Sequence, residues 1–270
     1  MDNNIIKKIK SLPPLDDTVI MIQRISTDKN SSLRDLVRVV ERDPMLTANI
    51  LKSANSPLYG FSKEIKNIGN AISLFGMATI RGFALSSAIK DNIKIDLKPY
   101  RIDNNSFLNI STVQSAIMFK WYSKVDRSML DILQPASFLM EVGKIIIAHE
   151  LIEQNRDTEF QEKLKQENDL EKLSNLEKEM VGFTNEEVTA KIFEKWNLED
   201  ELIGSIQFSN MPNLANQHIQ AYAKALHIVK NSANIFGILE KKQRENAKNL
   251  IEMYGLDLSP FKKALEQLDF

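Results

Sequence analysis

The sequence predicts an all-α, multi-helical protein. Three observations predict it. Apolar residues recur at steps of three and four along nearly the whole 270-residue chain. Side-chain oxygens able to cap helices stand just ahead of those periodic runs. Alternating strand-like runs are missing, and no Asn-Gly or Asp-Gly pair occurs to close a tight hairpin.

Taken in order, Ser11-Leu12-Pro13-Pro14-Leu15 is a rigid opening, because two prolines fix φ and forbid a helix interior. A helix over 16–26 follows, with Val19, Ile22 and Ile25 on one side. Ser32 caps a helix carrying Leu33, Leu36, Val37 and Val40. Asp43-Pro44 restarts the chain, since Asp43 accepts from free backbone N–H groups and proline suits the first helical position. That helix ends near Ala54, where Asn55-Ser56-Pro57 and Gly60 read as a turn. Asn67 or Asn70 caps the next helix, Gly76 interrupts it, and another runs through Ile80, Phe83, Ala84 and Ala88.

The polar stretch 91–105 reads as a junction between two parts. Ile110, Val113, Ile117 and Trp121 mark a helix over 107–125. A helical region over 129–149 is broken near Gln134-Pro135. The Glu- and Lys-rich stretch 156–179 carries an imperfect apolar stripe, too short and irregular for a coiled coil. Thr184 and Glu187 have capping-box spacing ahead of Val188, Ile192 and Trp196. A short helix spans 201–208, a long one 217–237, and a helical tail begins at Ile238 with a last helix from Ser259-Pro260.

Composition narrows the function classes. Without cysteine, the chain has no disulfide, thiolate zinc site, Cys-ligated cluster or cysteine nucleophile. Lys plus Arg is 35 against 36 for Asp plus Glu, so the strong positive excess of a general nucleic-acid binder is missing. Met1 to Lys10 lacks the apolar core of a signal peptide, and no run approaches the ~18 apolar residues of a membrane span. A cytoplasmic protein without membrane or lipid attachment is expected. The basic residues within 5–10 form a solvated terminus or touch an acidic partner.

Few residues invite chemistry. The three histidines, His149, His218 and His227, form no metal-binding pair in sequence, and no Walker A loop, dinucleotide fingerprint or nucleophile elbow occurs. His218 and His227 are nine positions apart, about 900° around a helix, so they face opposite ways. Glu186 and Glu187 read as first-turn residues that favour the helix dipole. Trp121 and Trp196 read as core.

Several motifs together resemble one family. They are Leu12-Pro13-Pro14-Leu15, Asp43-Pro44-Met45-Leu46-Thr47, Ile50-Leu51 with Ala54-Asn55-Ser56, Tyr59-Gly60, and Ile68 to Gly76. They resemble the HDOD family, bacterial signalling proteins related to the HD metal-dependent phosphohydrolases. The resemblance covers roughly 11–210. It implies an N-terminal helical subdomain over 1–95, an HD-like subdomain over 104–236 and a helical tail over 237–270.

In the related enzymes, histidines and a His-Asp pair gather around metal ions. Here Phe138 to Lys144 resembles the segment LLHDIGK, with Met140 in the His place, Glu141 in the Asp place, and Gly143-Lys144 retained. Ile110 falls near the first histidine's place, and Asn185 takes a later one. One Glu cannot replace such a cluster, and Met is a weak, soft ligand that packs a core. The resemblance therefore implies a degenerate HD centre with no metal, no cofactor and no catalysis.

The leading expectation is a non-catalytic signalling or regulatory module acting through protein partners of a bacterial pathway. The alternatives are a small-ligand, nucleotide-like sensor and a residual metal-dependent phosphohydrolase. Nucleic acid is disfavoured by the charge balance. The interaction candidates are Asn55, Ser56 and Tyr59, which join polar groups and an aromatic at a turn. The competing reading is that Asn55 and Ser56 brace the turn itself.

Overall fold

The computed structural model describes residues 4–92 and 95–268. The ends of the expected first and last segments, and positions 93–94 of the expected junction, lie outside the described residues.

The first six helices are α1 (Asn4–Ser11), α2 (Asp17–Thr27), α3 (Leu33–Val40), α4 (Pro44–Ala54), α5 (Ile68–Phe75) and α6 (Met77–Asn92). The caps at Ser32, Asp43 and Asn67 are the ones that the sequence advertises, and Asp16, expected as the first helical residue, caps α2 instead. Asp16 accepts from the Val19 N–H at 2.8 Å. Ser32 and Asp35 form a reciprocal capping box. Asp43 accepts from the N–H groups of Met45 and Leu46 at 3.0 and 2.9 Å. Asn67 accepts from Asn70 N–H at 2.8 Å. Gly76, at φ +83°, turns the chain by 117° between α5 and α6, a conformation that favours glycine.

The next eight are α7 (Asn104–Val125), α8 (Leu130–Leu139), α9 (Gly143–Glu153), α10 (Asp157–Leu164), α11 (Leu170–Val181), α12 (Asn185–Lys195), α13 (Asp200–Gln207) and α14 (Gln217–Ser232). The expected break at Gln134-Pro135 does not occur there. Pro135 lies inside α8, and the chain breaks instead over 140–142. Proline lacks the N–H that would have bonded to Asp131 O. Arg81 Nη2, on α6, donates to that carbonyl at 3.0 Å and satisfies it from outside the helix.

Beyond Ser232 the expected helix does not continue to 237. A short antiparallel pair forms instead, β1 (Ala233–Asn234) with β2 (Gly237–Ile238), registered Ala233 with Ile238 and Asn234 with Gly237. Asn234 Oδ1 accepts from the Phe236 N–H at 2.9 Å, a local turn that competes with the helix. Then follow α15 (Lys241–Met253) and α16 (Leu258–Glu266), the latter capped by Asp257 rather than started at Ser259.

The main hydrophobic core draws on residues from Ile5 to Leu268, and a small separate cluster joins Ala215, Ile219 and Ala223. α6 lies along α8, with α4 and α2 also against α6. α1 packs on α9 and α12, far along the chain. Lys8 pairs with Glu150 at 3.4 Å and also bonds to Glu153, while Ile5 and Ile9 are buried, so the start of the chain is docked rather than a solvated basic arm. Trp196 Nε1 donates to Pro13 O at 3.2 Å and ties the proline opening to the same place. α16 covers α7, with Phe261 edge-on to Trp121 at 4.9 Å. Among the described residues no single helix is long and apolar enough to cross a membrane.

Candidate functional site

The break over 140–142 brings the start of α9 against the start of α12. Asn185 makes the junction. Its Oδ1 accepts from the Lys144 N–H at 3.0 Å, and its Nδ2 donates to Met140 O at 2.8 Å. The Gly143 N–H donates to Thr189 Oγ1 at 2.9 Å. A side chain at position 143 would place its Cβ 2.3 Å from Asn185 O, so only glycine allows this approach.

Five charged side chains meet beneath this junction. They are Glu141, Lys144 of α9, Glu177 of α11, Glu186 of α12 and Lys230 of α14, each no more than 3% exposed. Lys144 bonds to Glu141 and lies 4.0 Å from Glu177. Lys230 bonds to Glu186. Gln114 Nε2, on α7, donates to Glu141 at 3.1 Å and to Ala233 O at 2.8 Å. Tyr100 Oη and the Asn185 N–H donate to the two oxygens of Glu177 at 2.9 and 2.7 Å. Buried charges persist only when paired and hydrogen-bonded in this way.

The electrostatics sort the three carboxylates. Burial pushes the Glu177 carboxyl up to about 7, Lys144 opposing and Glu186 reinforcing the shift. Burial also opposes the charge on Glu186, but Lys230 and Lys144 outweigh it and hold the group down at about 2. For Glu141 the same contest, again won by Lys144 and Lys230, leaves the group below the usual carboxylate range. Burial works against the Lys144 charge, and the three carboxylates together raise it. Burial raises the Tyr100 hydroxyl far above its usual value, with Glu177 adding to the effect.

Of the residues singled out in sequence, Met140, Glu141, Lys144 and Asn185 do converge. Met140 is fully buried, and its backbone carbonyl, not its sulfur, is held by Asn185. Ile110 packs in the core of α7; the residue one turn on, Gln114, is the α7 side chain that reaches the centre. Glu186 lies in the first turn of α12, as expected, and is also a member of the buried charged cluster. Glu177 and Lys230 were not singled out at all. Their signal was faint: Glu177 stands among Leu173, Leu176 and Met180, and Lys230 shares a face with Leu226, so each charge lies in an apolar stripe.

An HD-type metal does not fit this donor set. Both polar atoms of the Asn185 side chain are spent on backbone groups, and the carboxylates of Glu141 and Glu186 are bonded to ammonium groups that would repel a cation. Among the described residues no group of three or more His, Cys, Asp or Glu side chains is arranged to hold a metal ion. His149 pairs at the surface with Glu153 at 3.4 Å, and His218 is exposed. His227 Nδ1 lies 2.6 Å from Tyr254 Oη, and burial, with Lys230 nearby, pushes the imidazole down to about 4.

The turn after α4 divides its three candidates. Tyr59 does not present its ring to a partner: it is buried, edge-on to Phe75 at 4.7 Å, with Oη 2.9 Å from Ser115 Oγ. Asn55 braces the loop, donating to Ile65 O at 2.9 Å and accepting from the Ile65 N–H at 2.8 Å. Ser56 lines a hollow of about 230 Å³ between α4, α6, α7 and α8, with Asn49, Lys52, Ser53, Ser87 and Thr112. A larger hollow, about 590 Å³, lies beside the charged cluster and is lined in part by Ser174, Asn210 and His227. Ser174 Oγ reaches Glu186 at 3.5 Å, and Asn210 Nδ2 donates to Ser174 at 2.7 Å.

The sequence pattern of the HDOD domain matches residues 12–212. The chain belongs to the HDOD family. No curated protein matches it. Three solved structures resemble this HDOD chain along nearly its full length. A virulence factor from Campylobacter jejuni is 27% identical, with a TM-score of 0.60, and the match covers 98% of this chain and 95% of that one. An HDOD domain protein of unknown function from Geobacter sulfurreducens is 18% identical, with a TM-score of 0.63, covering 98% and 93%. A Shewanella amazonensis protein whose name ascribes phosphohydrolase activity to it is 19% identical, with a TM-score of 0.71, covering 99% and 96%. At these identities the last two show the fold alone. Among the described residues of this HDOD chain no group is arranged to hold a metal ion, and buried salt bridges join Glu141 to Lys144 and Glu186 to Lys230.

Proposed function

We propose that this HDOD chain is a non-catalytic, cytoplasmic regulatory module that acts through contacts with protein partners of a bacterial signalling pathway. The observation that carries the reading is the Glu141–Lys144 pairing at the degenerate HD positions, with the Glu186–Lys230 pair buried beside it. A general base or metal ligand must offer a free lone pair to substrate or ion. Here those lone pairs are committed to internal ammonium groups. No histidine bonds to Glu141 or Lys144 among the described residues, so a residual hydrolase has no assembled base. The division into 1–95, 104–236 and 237–270 is part of this proposal, with α1 of the first unit docked on α9 and α12 of the second.

The accessible contact surface of this reading is the mouth formed by Lys52, Ser53 and Ser56. Affinity capture of the tagged chain, quantified by mass spectrometry beside Lys52→Glu/Ser56→Trp, tests it. The expected result is a signalling protein enriched by the wild type and lost from a variant with unchanged melting. Equal enrichment by both, or metal-dependent turnover of phosphomonoesters or cyclic dinucleotides, would overturn it.

The hollow beside the centre supports a second reading, a small-ligand sensor. Its walls carry Asp169, Glu171 and Glu187 against Lys178. That excess of negative charge suits a cationic or donor-rich ligand better than the phosphates of a nucleotide. A melting-temperature screen comparing polyamines with cyclic dinucleotides separates the two chemistries.

A further inference from the structure

We infer that the hollow between α4, α6, α7 and α8 is a binding site for a small aromatic carboxylate, its ring held inward and its charge held at Lys52. The inference goes beyond the partner contact proposed at the same mouth. Its test reads binding to the purified chain rather than partner capture, so either can fail alone.

The lining is of two kinds. Phe83 of α6, Leu108 of α7 and Phe138 of α8 supply its apolar part, the two rings edge-on with centroids 5.4 Å apart. Past Leu108 and Phe138 a void of about 10 Å³ continues inward among Ile89, Phe107 and Ile145. The rest is chiefly hydroxyls. Those of Ser53 and Thr112 donate to the carbonyls of Asn49 and Leu108 in their own helices, so their protons are spent. Ser87, 6% exposed, accepts from Asn49 Nδ2 at 2.9 Å, which leaves its own proton to donate. The hydroxyls of Ser56 and Ser86 donate to nothing among the described residues. A nearly buried hydroxyl with an unspent proton calls for an acceptor.

Charge and size then select the ligand. Lys52, exposed at the mouth, is the one charged side chain among the described residues of the lining, and it forms no ion pair among them. A monoanion is therefore matched, and a cation meets an uncompensated ammonium. The volume, about 230 Å³, is below the range of about 300–1,000 Å³ usual for drug-sized ligands. A single ring with one carboxylate is of that scale. Its face and edge suit two rings already set edge-on. Carboxylate oxygens accept only, which answers Lys52 and the unspent serine protons together. An occupant bonded to α4 and α6 and packed on α7 and α8 stabilises all four helices, which makes melting a readout.

The test adds benzoate to the full chain, with benzylammonium and inorganic phosphate as controls, and reads calorimetric titration and thermal melting. Benzoate is expected to bind with a dissociation constant of roughly 0.1–1 mM, the range open to so small a ligand. At roughly ten times that concentration the melting temperature should rise by about 2–5 °C. Lys52→Gln should weaken benzoate binding about three- to tenfold. Ser86→Leu, which fills the hollow and leaves Lys52, Ser53 and Ser56 in place, should abolish it. Benzylammonium should not bind, and phosphate, which has no ring to bury, should bind about tenfold more weakly or not at all. The inference is overturned by no benzoate binding at about 20 mM, or by benzylammonium or phosphate binding as tightly as benzoate. Benzoate binding that Lys52→Gln leaves unchanged, or that survives in Ser86→Leu, overturns it too. Should Ser86→Leu not fold, Lys52→Gln, at an exposed position, decides: weakened binding supports the inference and unchanged binding overturns it.

Discussion

Lys230, on α14, donates to Glu186, at the start of α12, across 44 residues of sequence and inside the protein. The bond fastens two helices that share little else at this depth. It also sets the protonation of the centre, because Lys230 is the foremost of the charges that hold Glu186 ionised against its burial.

Breaking that pair from one side strands a buried charge. Lys230→Met is expected to lose about 3–5 kcal/mol, the usual cost of an orphaned buried ion. Lys230→Met/Glu186→Gln removes both charges and is expected to recover most of that loss. Urea unfolding of the three proteins at neutral pH checks it. Equal loss in single and double variants would show that packing of the lysine stem, not charge, is what matters.

Glu177 gives the centre a pH signature. Its folded value, about 7, lies above the ordinary 4.5, so the folded protein holds a proton that the unfolded chain has released. The associated stability is full below pH 4.5, falls as the pH rises from 4.5 to 7, and is constant above. Glu177→Gln removes this slope, and its advantage over wild type should grow by up to about 1 kcal/mol per pH unit through that window. Unfolding free energies at pH 5, 6, 7 and 8 read it directly.

His227 tilts the opposite way. Its folded value, about 4, lies below the ordinary 6.5, so the unfolded chain takes up a proton that the folded protein refuses. That contribution is full above pH 6.5 and is lost as the pH falls towards 4. Between pH 4.5 and 6.5 the two groups offset one another. His227→Gln should therefore expose a downward slope with rising pH that the wild type conceals, seen in the same titration.

Gly143→Ala tests the helix junction. Its Cβ would meet Asn185 O at 2.3 Å, backbone against backbone, and neither helix start can move without losing the Asn185 bonds. The expected cost is about 1–3 kcal/mol, as for overpacked cores. Gly76→Ala has open space around it, so its cost should come from the left-handed backbone alone. Melting curves of the two variants separate steric from conformational strain.

Tyr59 is a core residue of the N-terminal bundle, and its variants should behave so. Tyr59→Phe loses the 2.9 Å contact with Ser115, which still accepts from Gln134 Nε2 at 2.6 Å, so about 1 kcal/mol is at stake. Tyr59→Ala empties the space against Phe75 and Phe83 and should cost about 3–5 kcal/mol. Chemical denaturation distinguishes this from a surface contact, for which both changes would leave stability untouched.

The local structure of this protein is written in its sequence. Caps such as Asp16, Ser32, Asp43, Asn67 and Thr184 act within three residues of themselves, so their effect needs no knowledge of the rest of the fold. The degenerate HD positions are legible for a similar reason, since Met140 and Asn185 lie within recognisable segments. Three features are set from a distance. Pro135 stays helical because Arg81, from another helix, takes up the carbonyl that it frees. Tyr59 is hidden because α6 and α7 close over its turn. The charged centre joins Glu141 and Glu177 to residues of α12 and α14, and no one-dimensional spacing reports that Glu186 will find Lys230. Helix formation is local hydrogen bonding and periodic burial, which the order of residues determines. Pairing buried charges needs the helices already packed, because only there does the loss of water make an unpaired charge intolerable, and that the tertiary structure alone decided.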